Sequence, residues 1–174
     1  KLVYASSVNP DALSYRRQRG LGNADEQMAI LVQRVSGMRY QRYFFPQLAG
    51  VAFSYNLYRW SDRIDPSQGI MRLVFGLGTR AVDRVGGNYP RMIPLSNPQL
   101  RPEMGSKIAS YSQRELDLLD LAANDFRSRQ VAEVIADGDY PNLHLFLSFM
   151  EDGYVRDPGG RWLKTLKNSI LTFN

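Results

Sequence analysis

The chain has no cysteine and a single histidine among its 174 residues. The first absence removes a disulfide framework, thiolate catalysis and thiolate-held zinc. The second removes every scheme that needs two imidazoles, the common zinc-hydrolase sets included. Lysine is missing from residues 2–106 altogether, so arginine supplies nearly all of a net charge of +5. Guanidinium groups grip phosphate and carboxylate in bidentate fashion, and that balance leans toward anionic ligands, although a basic but ordinary surface explains it more simply. No apolar run approaches the length of a membrane span, and no segment has the charged start and apolar middle of a secretion signal. Internal repeats and low-complexity tracts are also missing. These absences fit a cytoplasmic protein with no membrane partner.

What is present suits one well-buried domain or two small ones: 44% hydrophobic and 22% charged residues are ordinary proportions for a globular chain. Both ends read as cut. Lys1 opens directly onto "LVYASS", and Ile170-Leu171-Thr172-Phe173 reads as a strand with no polar tail, so the expectation is a piece of a longer protein. Asn9-Pro10 is a helix start, with Asn as N-cap and Pro at the first helical position, and Gly20 stops that helix. Residues 27–35 ("QMAILVQRV") read as a buried strand, residues 48–53 ("LAGVAF") as a second and residues 70–75 as a third. After Gly78 a helix has room only as far as Arg84 or Val85, because Gly86-Gly87 ends it. "RMIPLSNPQLRP" is an extended, proline-punctuated connection. Residues 112–120 are ambiguous: Ser112-x-x-Glu115 matches a capping box, while Leu116 and Leu118 alternate as a strand does. Residues 131–136 read as helix and 143–149 ("LHLFLSF") as strand, with Pro158-Gly159-Gly160 turning the chain afterwards.

The apolar run before Gly76-Leu77-Gly78 matches the pattern of a dinucleotide fingerprint. Its context does not: the following helix is too short, and the candidate acid, Glu103, sits in an extended stretch rather than at a strand end. Two readings of the glycines stay open. They let backbone N–H groups converge on an anion, with Thr79 adding a hydroxyl, or they make a tight strand exit. A Walker loop is excluded, since Lys107 follows Gly105-Ser106 without the leading glycine. The arginine and aromatic clusters "MRYQRYFF" and "LYRWSDR" suit base stacking, but Glu26, Asp62 and Asp65 dilute the basic patch. Packing is therefore the better reading, with no nucleic-acid partner. His144 reads as a structural histidine in an apolar strand. The pairs Asp117/Asp120 and Asp137/Asp139 read as solvated strand edges and turns rather than cation ligands.

Four stations then occur in order. "SYRRQRG" follows Ala5-Ser6, "MAILVQRV" ends an aliphatic run in Val-Gln, "AGVAFSYN" carries Ala-Gly-Val-Ala-Phe, and "VFGLG" closes a strand. Together they resemble the nucleotide-binding, ATP-grasp-type region shared by phosphoenolpyruvate synthase and pyruvate phosphate dikinase. The resemblance implies an α+β fold: an ATP-grasp-like subdomain with a mixed, mostly antiparallel sheet and short flanking helices. Residues 1–103 would form the nucleotide-binding core segment, and 104–174 would continue the same domain. It implies ATP with Mg2+ as cofactors, and a phosphoryl group passed to a histidine on another domain and then to pyruvate. Carried over residue by residue, Val32 would offer backbone groups to adenine, Gln33 its side chain, and Arg34 a weaker addition. No catalytic residue is carried over, and His144 lacks the phosphoryl-carrier's surroundings. In that family the cations that grip phosphate lie upstream, and the metal-binding Glu, a Gln and an Arg lie beyond Asn174. Thr79 stands where the family usually has Glu, and Asp83-Arg84 and Tyr89-Pro90-Arg91 replace its usual continuation. Two alternatives follow: a degenerate, non-catalytic nucleotide-binding or regulatory module, or a related dikinase with another acceptor such as a glucan or an antibiotic.

Overall fold

The computed structural model describes residues 2–25, 27, 29–83, 86, 88–138, 140–156 and 169–173. Arg84, Val85, Gly87, Asp139 and the Pro158-Gly159-Gly160 turn lie outside the described residues. The chain divides into two compact units, residues 1–35 and 36–174.

Among its described residues the first unit holds two helices, α1 (Leu2–Ser6) and α2 (Pro10–Gln18). Local chemistry fixes both ends of α2. The Asn9 side chain accepts from the Ala12 N–H at 2.7 Å, Pro10 has no N–H to leave unpaired, and Asp11 faces the positive end of the helix. At the far end Gly20 takes φ +70°, so its N–H reaches Arg17 O at 3.1 Å and that of Leu21 reaches Arg16 O at 2.8 Å. This doubly bonded stop needs a left-handed residue, which glycine supplies without strain. The buried strand expected at residues 27–35 is not formed. The described residues there have no regular structure and stand exposed, Leu31 at 80% and Val32 at 86%. Apolar composition alone does not make a strand: each N–H and C=O needs a ladder partner, and the described residues of this unit contain no strand.

The second unit holds ten strands among its described residues. In chain order they are β1 (Met38–Tyr40), β2 (Tyr43–Phe45), β3 (Ala49–Phe53), β4 (Ile70–Val74), β5 (Arg91–Pro94), β6 (Glu115–Asp120), β7 (Asp125–Gln130), β8 (Leu147–Glu151), β9 (Tyr154–Arg156) and β10 (Ser169–Leu171). They form three sheets, ordered β1-β2-β6-β7, β3-β4-β5 and β10-β8-β9, and every pairing is antiparallel. Three short helices, α3 (Thr79–Val82), α4 (Lys107–Ser110) and α5 (Val131–Asp137), punctuate them. The architecture is α+β with antiparallel sheets and short helices, as the resemblance implied.

The core lies between β2, β6, β8, β10 and α5. Phe45, Phe75, Leu116 and Leu118 are fully buried there with Val134, Ile135, Tyr140, Leu143 and Leu147. Each such side chain contributes about 1.5–3 kcal/mol by leaving water. Aromatic rings run through it in contact: Tyr40–Phe45 at 4.9 Å, Phe45–Phe75 at 5.5 Å and Phe75–Phe146 at 6.1 Å between centroids. Period-two alternation decides the ambiguous stretch in favour of a strand. Leu116 and Leu118 point into the core, and β7 supplies the ladder partners of β6 from end to end. His144 is also placed differently from expectation. It sits exposed in a 3-10 turn (Leu143–Leu145), and only from Leu147 onward does the apolar run become strand.

Candidate functional site

Val32, Gln33 and Arg34 lie side by side in the irregular end of the first unit, exposed. Among the described residues none hydrogen-bonds their backbone or side chains. A peptide edge in that state offers an N–H and a C=O in line, together with the Gln33 amide. A purine edge needs one acceptor and one donor of this kind.

The Gly-Leu-Gly turn, in the second unit, is built for another purpose. β4 drives Phe75 into the core, and the chain must then turn hard against β6. Gly76 does so at φ +96°, and a Cβ there would lie 2.8 Å from both the Asp117 carbonyl oxygen and the Leu116 Cβ. Its N–H donates to Pro46 O at 3.2 Å, and that of Leu77 to Asp117 O at 2.8 Å. Those two amides therefore do not converge on an anion, which favours the tight-exit reading. Gly78 is ordinary by contrast: φ is −68°, and the nearest atom to an added Cβ is Ala49 Cβ at 3.6 Å.

After the turn, α3 delivers Thr79 and Arg80 onto the face of β6 opposite the core. Asp117 stands there because alternation places it between Leu116 and Leu118. The Thr79 hydroxyl donates to Asp117 Oδ2 at 2.6 Å, and Arg80 Nε donates to Oδ1 at 2.8 Å. Ser128, the ladder partner of Asp117, donates to the same Oδ1 at 2.6 Å and accepts from Arg80 Nη2 at 2.8 Å. Arg80 also pairs with Glu115 at 3.1 Å. Burial alone would raise the Asp117 carboxyl, but hydrogen bonds from Ser128, Thr79 and Arg80 outweigh it and hold the group below the usual carboxylate range.

Two buried amides brace the same strand. Gln113 accepts from Phe75 N at 2.8 Å and donates to Phe75 O at 2.7 Å and Glu115 O at 2.8 Å. Asn88 accepts from Arg114 N at 3.0 Å and donates to Glu115 O at 3.1 Å. Each substitutes for a peptide unit where no strand is available.

The proline-punctuated connection contains a second ionic group. Arg91 donates to the carbonyls of Met92, Leu100 (3.5 Å) and Pro98 (3.3 Å), and Arg101 to Thr172 O at 2.5 Å. Burial, reinforced by Arg101, pulls the Arg91 guanidinium down to about 10, and burial likewise lowers Arg101 and raises Glu103. These arginines tie loop carbonyls together.

The remaining sequence candidates are structural. Asp120 is fully buried, not a solvated edge: Arg42 meets it in a fork at 3.2 and 2.5 Å and holds its carboxyl below the usual range. Arg42 also lies over the Tyr43 ring at 5.5 Å, and Arg59 pairs with Asp62 at 3.2 Å, so both arginine–aromatic clusters carry internal contacts. Asp117 is equally unavailable as a cation ligand, and the described residues contain no group of three or more His, Cys, Asp or Glu able to hold a metal. The Arg80–Asp117 pair escaped the sequence reading. Its one signal was an acid between two leucines of an alternating strand.

Against known proteins, the family model described as pyruvate phosphate dikinase, AMP/ATP-binding domain, matches residues 1–156. No curated protein matches the chain, and no solved structure does. No helix among the described residues is long and apolar enough to cross a membrane.

Proposed function

The chain belongs to the AMP/ATP-binding domain family of pyruvate phosphate dikinase, and from that premise we propose that it is part of a cytoplasmic, ATP-dependent phosphotransferase of the phosphoenolpyruvate synthase and pyruvate phosphate dikinase type. Residues 1–103 carry the nucleotide-binding core in this reading, and 104–174 continue the same domain. The full-length protein binds ATP with Mg2+ and passes a phosphoryl group to a histidine on another domain and then to pyruvate. The family match over residues 1–156 carries the proposal.

Within it, this chain holds the base. The Val32 peptide groups and the Gln33 amide meet the adenine edge, and Arg34 adds a positive charge beside it. The unpartnered state of all three is consistent with that role. Mg2+, when bound with ATP, neutralises charge on the migrating group. The described residues offer it no cluster, and the amides of Gly76 and Leu77 are engaged, so grip on phosphates and metal falls to the rest of the protein. The chain alone binds nucleotide weakly or not at all and does not turn over.

A second reading has one observation in its favour. Thr79, at the position where the family usually has Glu, has its hydroxyl tied to Asp117, as a degenerate nucleotide-binding or regulatory module would allow. A related dikinase acting on a glucan or an antibiotic is the third. Terminally labelled ATP, mixed with the full-length protein and each acceptor in turn, separates them. Label reaching the protein and then pyruvate supports the first reading. Transfer to another acceptor supports the third, and label that stays on nucleotide throughout leaves the degenerate module.

A further inference from the structure

Beside β4 and β5 the second unit carries a half-open cavity of about 470 Å³ that no role above uses. Its size is that of a small-molecule site. The walls are apolar and aromatic: Tyr58, Tyr89 and Met92 line it, and the Tyr89 ring is propped by Tyr111 at 5.0 Å between centroids. Asn88 also borders it, but its amide is committed to the backbone of residues 114 and 115 and serves as wall.

Among the described residues, three charged side chains complete the lining: Arg72, Asp83 and Glu103. Arg72 projects from the middle strand of its sheet, and its buried Nε has no hydrogen-bond partner among the described residues. Leaving a buried guanidinium N–H unmade is costly, and an anionic group entering the cavity would remove that cost. The Asp83 carboxylate has no hydrogen bond or ion pair with a described residue. Burial is the largest influence on Glu103 and lifts its carboxyl against the pull of Arg91 and Arg101, so it too gains from a cation in the cavity. A triphosphate does not suit the described lining, in which two carboxylates oppose one arginine.

We propose that this cavity is a binding site for a small zwitterion, separate from the nucleotide. The ammonium end lies toward Asp83 and Glu103 against the tyrosine rings, and the carboxylate or phosphate end meets Arg72. Tyrosine faces attract cationic nitrogen, most strongly where it carries methyl groups and is weakly hydrated.

The test is calorimetric titration of the full-length protein with glycine betaine, phosphocholine, choline and acetate, with and without saturating ATP. The two zwitterions are expected to bind saturably and at least tenfold more tightly than choline or acetate, with ATP leaving their affinity within twofold. Arg72→Gln is expected to bring a zwitterion down to the level of choline, and Glu103→Gln to weaken zwitterion and choline alike. No saturable binding of either zwitterion up to tens of millimolar, or equal binding of zwitterion and choline to the unaltered protein, overturns the proposal. Displacement of the zwitterion by ATP overturns it as well, and assigns the cavity to the nucleotide. ATP titrated alone reports on the nucleotide reading independently.

Discussion

Arg80 Nε lies 2.8 Å from Asp117 Oδ1 with both side chains only 8% exposed, and this contact joins α3 to the face of β6 turned away from the core. A buried ion pair is costly to assemble and costly to break by halves, because one charge is then left without a partner in a poorly solvated place. Asp117→Ala leaves Arg80 with only Glu115 and Ser128 as partners and takes the acceptor from the hydroxyls of Thr79 and Ser128 together. The expected loss is about 3–5 kcal/mol, read as a lower urea midpoint at unchanged slope. Thr79→Ala removes one hydrogen bond to a charged acceptor and is expected to lose about 1.5–3 kcal/mol.

Acid should unfold the protein through the same groups. Asp117 and Asp120 are held below the usual carboxylate range in the folded state. Their stabilisation is complete above the unfolded value of about 3.9 and is lost as pH falls through the lower folded value. Glu103 acts in the opposite sense. Its raised carboxyl binds protons more readily when folded, so its contribution is present at low pH and fades as pH rises through the folded value. Urea midpoints at pH 7, 4 and 2.5 check the balance. The midpoint is expected to fall most between the last two, and Asp117→Asn to flatten that fall.

The elements legible in the sequence were those whose signals are local. Asn9, Pro10 and Gly20 specify α2 within a few residues, and the apolar runs of β3 and β4 fall next to strong turns. The β1–β2 hairpin was not legible, because its turn uses Gln41 at φ +52° rather than glycine or Asn-Gly. β7 was hidden because "DFRSRQ" has one apolar residue, the half-exposed Phe126, and is otherwise polar on both faces, as an edge strand is. Residues 27–35 failed the opposite way: their composition is that of a strand, but the deciding factor is a ladder partner, which composition does not encode. The same limit applied to chemistry. Asp117 and Asp120 looked like solvated acids because the arginines that bury them are 37 and 78 residues away in the chain.

The two glycines of the Gly-Leu-Gly turn are expected to respond unequally to alanine. At Gly76 the new methyl group meets β6 backbone in a left-handed conformation, and Gly76→Ala should lose about 2–4 kcal/mol. At Gly78 the conformation is helical and the space open, so Gly78→Ala should be neutral or stabilise by about 0.4–1 kcal/mol. An anion cradle would need both glycines for ligand affinity. ATP affinity of the full-length protein carrying Gly78→Ala is therefore expected within twofold of the unaltered protein.

The adenine contacts proposed for Val32 and Gln33 differ in kind, one through backbone and the other through a side chain, and are separable by substitution. Gln33→Ala deletes the amide and is expected to weaken ATP binding by the full-length protein about five- to tenfold, the value of one hydrogen bond. Val32 offers peptide groups, so Val32→Ala should leave affinity within twofold. Val32→Pro removes the N–H and should weaken binding at least tenfold. Arg34→Gln should have a smaller effect than Gln33→Ala, one that shrinks further as salt is raised. Because these side chains are exposed and without partners among the described residues, none of the side-chain truncations should shift the urea midpoint measurably. Affinity and stability are thus separable at this segment, and a Gln33→Ala protein that binds ATP as tightly as the unaltered one removes Gln33 from the site.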